Sequence, residues 1–402
     1  KARNMRHRAS VINATPLTLA VLVPGRNEAS VLAQCLDAVL AQCREGDELW
    51  MVDDGSTDHT SELLHRLYGV PLAPAFGSVQ SQRHMALRVL RKAHSGKADS
   101  LNRVWPLVQA PVILTLDADT VLHHGALDAV RNAFAAEPEL AAACGALTPR
   151  CAVAPLAWMF EGFQRFEYLR AFLARTAWER IDALLLVSGA FAAYRKDVLT
   201  RLNGYDATSL VEDYELIHRL HRHSHDHVLD WRVRVLGNAQ ATTDAPASLR
   251  QFLRQRERWF AGFLETQFAN SDMVGNARYG RLGTLMLPIK AVDTLQPVFG
   301  LTAFALLIWL LFHWGVVART VLFVIGAKLT LDFCYHLWAI DRYHRWLGQR
   351  PSLRFWLGSM LASLAEPFSF QLMRHAGAVR GWLSFLTGRV DWSPQRKTGV
   401  LS

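Results

Sequence analysis

Residues 295–314, LQPVFGLTAFALLIWLLFHW, constrain this chain more than any other stretch: twenty consecutive residues without an Asp, Glu, Lys or Arg. A helix of that length rises about 30 Å, the thickness of a bilayer's hydrocarbon core. A helix apolar all round must be buried in a large core or in lipid, so this run is expected to cross a membrane. A second run, VLFVIGAKLTLDFCYHLWAI at 321–340, carries Lys328 and Asp332 at i,i+4 spacing, where each neutralises the other inside a packed helix. A third, FWLGSMLASLAEPFSFQLM at 355–373, is interrupted by Glu366 and Pro367. The link DRYHRWLGQRP and the tail 374–402 are both basic and favour the cytoplasmic side. Three full crossings would put them on opposite sides, so the third run is expected to be re-entrant or interfacial unless another segment crosses.

The residues before the apolar region read as a soluble domain. Short apolar runs of strand type, TLAVLV (18–23), ELWMV (48–52) and VILTL (112–116), alternate with amphipathic stretches such as EASVLAQCLDAVLAQ (28–42) and TSELLHRLY (60–68). That alternation predicts an open, parallel α/β sheet whose ligands bind at the carboxyl ends of its strands. Each of those ends is polar: PGRNE after the first run, DDGSTD after the second and DADT after the third. The segment GKADSLN (96–102) brings Lys97 toward the same edge.

The pair Asp117 and Asp119 defines the chemistry. Residues two apart in an extended segment share a face, so both carboxylates aim at one spot and repel unless a cation lies between them. Mg2+ or Mn2+, itself holding phosphate oxygens, is the natural occupant. Each motif also has a plain structural reading. DAD alone would be an exposed turn, VDDGSTD an Asp-Gly turn, Glu212 and Asp213 a helix start, and QRERW a surface charge pattern. Their occurrence together favours function.

The net charge of +9 does not point to nucleic acid, because the basic residues cluster beside apolar segments; an anionic membrane surface and an anionic nucleotide account for them better. Five cysteines without CxxC spacing suit a reduced, cytosol-facing domain. The segments 156–173 and 248–268 are amphipathic and aromatic, as for helices at a membrane surface. The run HRHSHDHVLDW places His221, His223, His225 and His227 at alternate positions; zinc is conceivable, but a polar turn between a helix and a strand is expected.

The ordered series VPGRNE, VDDGSTD, GKADSLN, DAD, VSGAF, VED and QRERW, followed by membrane spans, resembles the membrane-bound processive family-2 glycosyltransferases. These include cellulose, hyaluronan, chitin-oligosaccharide and poly-N-acetylglucosamine synthases, the last being most similar in their short loops. The resemblance covers roughly Thr18 to Thr266 and implies a GT-A (Rossmann-like) α/β catalytic domain, a nucleotide-diphosphate sugar, a divalent metal and inversion at the anomeric carbon. Carried over to this chain, Asp53 or Asp54 would bind uracil, with Pro24, Asn27 and Glu28 shaping the nucleotide pocket. Lys97 would neutralise diphosphate; Asp117 and Asp119 would hold the metal, Asp119 directly. Asp213, with Glu212 beside it, would be the general base, Gly189 of VSGAF would bind substrate, and Gln255, Arg258 and Trp259 would close over the diphosphate and meet the acceptor.

The expected organisation is a basic juxtamembrane segment (1–15) following something removed, the GT-A domain (16–250), interfacial helices with QRERW (251–294), a transmembrane region (295–373) and a basic cytoplasmic tail (374–402). The expected partners are a UDP-sugar, a growing glycan or lipid acceptor, membrane lipids and a small accessory membrane subunit, with no nucleic acid. The expected place is the bacterial inner membrane, crossed several times with the catalytic domain in the cytoplasm. Two other functions fit the same motifs: single sugar addition to a ceramide, hopanoid or polyprenyl-phosphate acceptor, and a non-catalytic nucleotide-sugar sensor or secretion scaffold.

Overall fold

The computed structural model describes residues 17–313, 315–346 and 352–388. The segment expected beside the membrane at 1–15 lies outside them.

The first half alternates as its sequence requires. In chain order come β1 (Leu19–Gly25), α1 (Leu32–Leu40), β2 (Glu48–Asp54), α2 (Thr60–Tyr68), β3 (Gly77–Gln80), β4 (Leu87–Lys92), α3 (Lys97–Val104), β5 (Val112–Leu116), β6 (Thr120–Leu122) and α4 (Ala126–Ala136). Then follow β7 (Leu140–Cys151), α5 (Ala157–Glu179), β8 (Phe191–Arg195), α6 (Lys196–Arg201), α7 (Glu212–Asp226) and β9 (Arg232–Ala245). Leu19 to Val23 are all buried, as befits a strand covered by helices on both faces. The strands form one sheet, β3-β4-β2-β1-β5-β8-β7-β9-β6. β1 pairs in parallel with β2 and β5, and β2 with β4. The chain runs outward from β1 through β2 to β4, then returns to β5 on the other side of β1. That reversal opens a crevice at the carboxyl ends of β1 and β5, where open α/β sheets hold ligands.

At the opposite end of the sheet, Arg131 of α4 and Asp47 form a buried bidentate pair, with Nη2 to Oδ2 at 2.8 Å and Nη1 to Oδ1 at 3.1 Å. Asp47 also accepts from the backbone N–H of Leu19 and of Arg44, both at 2.8 Å, so the carboxylate ties the start of β1 to α4.

Beyond the sheet lie α8 (Leu249–Ala269), α9 (Leu287–His313), α10 (Gly315–Trp346), α11 (Leu353–Ala365) and α12 (Phe370–Thr387). Two helical segments, Leu282–Leu310 and Arg319–Trp346, are long and apolar enough to cross a membrane, and little of either is buried against the protein. The first begins thirteen residues before the apolar run expected to span, because a π-helical stretch, Leu282–Met286, leads into α9. The third apolar run is split by a 3-10 turn at Glu366–Phe368, where Pro367 ends α11. Glu366 is buried there and pairs with Arg170 of α5.

Residues 374–387, expected in a basic tail, belong to α12, which packs along α8. Gly377, Gly381 and Ser384 make the close approach: a Cβ at Gly377 would sit 2.6 Å from Arg256 Cβ, and one at Gly381 would sit 2.6 Å from Phe260 Cβ. Arg380 and Ser384 bond Glu257 at 2.6 and 2.8 Å, so charges that suggested a solvated tail serve a helix contact.

Candidate active site

The crevice is built from the carboxyl ends of β1, β2, β4 and β5 and the starts of β6, α3 and α7. After β1 the chain turns at Asn27, whose φ of 59° suits asparagine better than most side chains. Its Oδ1 accepts from Thr57 N at 2.7 Å and Asp58 N at 3.3 Å, and its own N–H donates to Ser56 Oγ at 2.9 Å. Asn27 therefore locks PGRNE to GSTD. Pro24 lies in β1 beside Val52, and the buried Glu28 donates its N–H to Thr60 Oγ1 at 3.3 Å.

The two candidate aspartates of VDDG have different surroundings. Asp54 is filled: Lys92 pairs with Oδ1, His94 Nδ1 lies 2.7 Å from Oδ2, and the N–H groups of Ser95 and Gly96 each donate at 2.9 Å. Burial works against its ionisation, but these four donors hold its carboxyl below the usual range. The same bonds fix the SGK turn that starts α3. Asp53 points to the other face of the sheet, accepts from Ser56 N at 2.9 Å and lines an open pocket of about 350 Å³.

Lys97, the first residue of α3, stands at the centre. Its ammonium lies 2.6 Å from Asp117 Oδ1 and 3.1 Å from Glu212 Oε1, and donates to the Gly189 carbonyl at 3.3 Å. Burial would favour the neutral amine, yet Asp117, Glu212 and Asp213 together raise its pKa, so the charge is held firmly. Gly189 joins the two halves of the site: its N–H donates to Asp213 Oδ2 at 2.5 Å. A Cβ there would sit 2.9 Å from that oxygen, which is why glycine is needed. Asp213 opens α7, where Tyr214 N–H donates to its Oδ1 at 2.8 Å. Burial and the Glu212 carboxylate push Asp213 up to about 6, against the pull of Lys97 and the two N–H groups.

Asp119 is buried at the start of β6, beside Thr120, whose hydroxyl bonds Thr243 of β9 at 2.8 Å. Among the described residues no three His, Cys, Asp or Glu side chains group as a metal cage. Asp117 and Asp119 nevertheless suit Mg2+ or Mn2+, which take one or two carboxylates and keep positions for water and phosphate. The Lys97 ammonium resting on Asp117 shows that positive charge is favoured at this point.

The QRERW residues lie on α8. Arg256 is buried, pairs with Glu167 of α5 at 2.5 Å and stacks on Phe252 and Trp259. Gln255 Oε1 is buried without a hydrogen-bond partner, and Arg258 makes no ion pair among the described residues. Trp259 packs against the edge of the core. Burial pushes the hydroxyl of Tyr168, on α5, up to about 12.

The family model for "Glycosyl transferase family group 2" matches residues 112–323, more than half of the chain. The chain belongs to that family. The "Glycosyl transferase family 2" model matches residues 20–202. Among curated proteins it is 26% identical over 260 residues to a beta-monoglucosyldiacylglycerol synthase of Synechocystis sp., covering 61% of the chain and 47% of that relative. It is 24% identical over 237 residues to the poly-beta-1,6-N-acetyl-D-glucosamine synthase of Staphylococcus aureus, covering 59% and 52%. The chain thus spans about half the length of the curated relatives it matches. Among solved structures, the mannosyltransferase PcManGT of Pyrobaculum calidifontis, in complex with GDP-Man and Mn2+, superposes with a TM-score of 0.56 at 20% identity, covering 88% and 87% of the chains. That likeness establishes a GT-A fold.

The structure gathers Lys97, Asp117, Gly189, Glu212 and Asp213 by direct bonds, and places Asp53, Asp54, Pro24, Asn27 and Glu28 along the neighbouring strand ends. Sequence reasoning missed Arg91, Lys92 and His94. A signal was present: the consecutive Arg91 and Lys92 end one strand as the consecutive Asp53 and Asp54 end the next, and alternation sends each pair to its own face. The histidine run is not a turn. His221, His223 and His225 lie in α7, which continues to Asp226 because Leu216, Ile217 and Leu220 bury one face of it. His221 is buried and bonds the Leu184 carbonyl at 2.8 Å, while His223 stacks on His227 and Trp231, so the imidazoles do not converge on a metal.

Proposed function

We propose that this chain transfers a sugar from a UDP-sugar, UDP-GlcNAc in the leading reading, with inversion, and so extends a β-linked polysaccharide at the inner membrane. The observation carrying this reading is Gly189, whose carbonyl accepts from Lys97 while its N–H holds Asp213. One residue spaces a fixed cation, suited to a departing diphosphate, from a carboxylate suited to take a proton.

Asp213, raised to about 6, is ionised at neutral pH yet more basic than an ordinary aspartate. It takes the proton of the acceptor hydroxyl, whose oxygen attacks the anomeric carbon as the bond to the diphosphate breaks on the opposite face. Lys97 and the uncommitted guanidinium of Arg258 receive the charge that develops on the leaving group. Asp117 and Asp119 would hold Mg2+ or Mn2+, which when bound would add Lewis-acid neutralisation of the diphosphate. Trp259 offers a sugar face a stacking surface, with Gln255 beside it. One base and no covalent intermediate give inversion, by analogy with glycosidases.

The two apolar helices support a membrane anchor. Trp346 at the end of α10 packs against Phe172 of α5, and α12 packs on α8. Two crossings would return the chain to the catalytic side, and the basic segment after α10 would then share the cytoplasmic face with that domain. A second reading, single addition to a lipid acceptor, is supported by the glycolipid synthase among the relatives. Product analysis separates the two: the detergent-purified protein is given Mg2+ or Mn2+ and a panel of UDP-sugars, and nucleotide release and product size are read together. A long polymer from one donor supports the synthase; one sugar on added lipid supports the glycolipid enzyme. No release with any donor refutes both and leaves the sensor.

A further inference from the structure

Asp53 and Arg91 are register partners on adjacent parallel strands, so their side chains leave the sheet on the same face. Both are almost wholly buried, at 4% and 5% exposure, and both line the pocket together with Ser56, Ser61, Leu72 and the exposed ring of Phe76. They form no ion pair among the described residues, whereas Asp54 and Lys92, one step along the same strands, do. Arg91 Nη1 donates to the carbonyls of Leu72 at 3.4 Å and Pro74 at 3.3 Å, but its Nε and Nη2 are buried without a partner. Burial pushes its guanidinium down, and the Asp53 charge opposes that. A buried N–H without an acceptor is unfavourable unless something else supplies one.

Building on the proposed sugar-nucleotide reaction, we propose that Arg91 is a specificity residue that reads the nucleobase jointly with Asp53. An acceptor-only carboxylate beside a donor-only guanidinium matches a ring N–H next to a ring carbonyl. Uracil and guanine present that edge. Cytosine and adenine present a ring nitrogen acceptor beside an amino donor, the reverse order. Phe76 offers a face for the base to rest on. Asp54, committed to Lys92 and His94, organises the turn before Lys97 and does not touch the base.

The test is competition binding of UDP, GDP, CDP and ADP, with Mg2+, to the full chain in detergent, for the unmutated protein, Arg91→Met and Arg91→Lys. The unmutated protein is expected to bind UDP or GDP at least about tenfold more tightly than CDP and ADP, the range of a charge-assisted hydrogen bond. Which of the two it favours distinguishes the sources of the shared edge. Arg91→Met is expected to bring all four within about threefold while leaving CDP affinity in place, which also reports an intact site. Arg91→Lys keeps the charge and loses the fork, so it is expected to narrow the preference too; it carries the test if the methionine variant fails to fold. A preference unchanged in folded variants, or an unmutated protein that favours CDP or ADP or binds all four equally, overturns the role of Arg91 and leaves sugar transfer standing. Failure to bind any nucleotide, with none released from any sugar nucleotide, overturns the transfer reaction itself.

Discussion

The base proposed at Asp213 predicts a pH profile that two substitutions move in opposite directions. Asp213 lies near 6 against an ordinary 3.8, a rise of about two units, or ~3 kcal/mol at 1.36 kcal/mol per unit. Burial contributes most of it, Glu212 adds to it and Lys97 opposes it. The base acts when ionised, so kcat/KM rises with pH through about 6 and is lost below it. Glu212→Gln removes the like charge and releases Lys97 from its 3.1 Å contact, and both changes lower the Asp213 pKa. A fall of one unit would raise the ionised fraction at pH 5 from about one in eleven to one half, about a fivefold gain relative to the plateau. Lys97→Met raises the pKa; one unit costs about fivefold at pH 6 relative to its own, lower, plateau. The assay is nucleoside diphosphate release across pH 4.5–8, each variant normalised to its alkaline plateau, as roughly set by these values. Limbs that stay together, or shift in the same direction, refute Asp213 as the titrating base.

The remaining predictions concern the metal, the acceptor and the scaffold. Asp119→Ala is expected to abolish metal-dependent turnover, by about 10^3-fold or more, and to abolish the binding-induced loss of the free Mn2+ signal in an electron paramagnetic resonance titration. Normal product yield would remove Asp119 from the site. Trp259→Ala is expected to weaken acceptor use about tenfold while donor binding changes little, the loss of one ~1.4 kcal/mol contact; separate KM and Kd values for the two substrates check it. Asp47→Ala leaves Arg131 charged and buried, and is expected to cost about 3–5 kcal/mol of stability. Denaturant unfolding of the detergent-solubilised chain measures it, and an unchanged midpoint would contradict the structural role.

Much of the sheet and of the central cluster was legible because the relevant signals are local. A strand such as VILTL must end where DADT begins, and a helix starting at Glu212 and Asp213 turns both acids toward one end. Pairings between distant strands were not legible. Whether Asp53 or Asp54 lines the pocket depends on the register of β2 against β4, which the sequence carries as two adjacent acids opposite two adjacent bases. The α8–α12 contact depends on small residues at helical spacing inside a segment whose arginines suggested a tail. The polar composition of the histidine run reads as a turn, although the apolar residues before it drive a helix that carries the histidines along.

Asp213→Asn, with binding and turnover measured on the same preparation, tests whether Asp213 and Lys97 flank a reacting sugar nucleotide. Asparagine is nearly the same size and keeps one acceptor for the Gly189 or Tyr214 N–H, but cannot take the acceptor's proton. UDP binding is expected to be retained within a few-fold while UDP release from the donor sugar falls by about 10^2 or more. Retained release would contradict it, and so would loss of binding and release together in a folded variant.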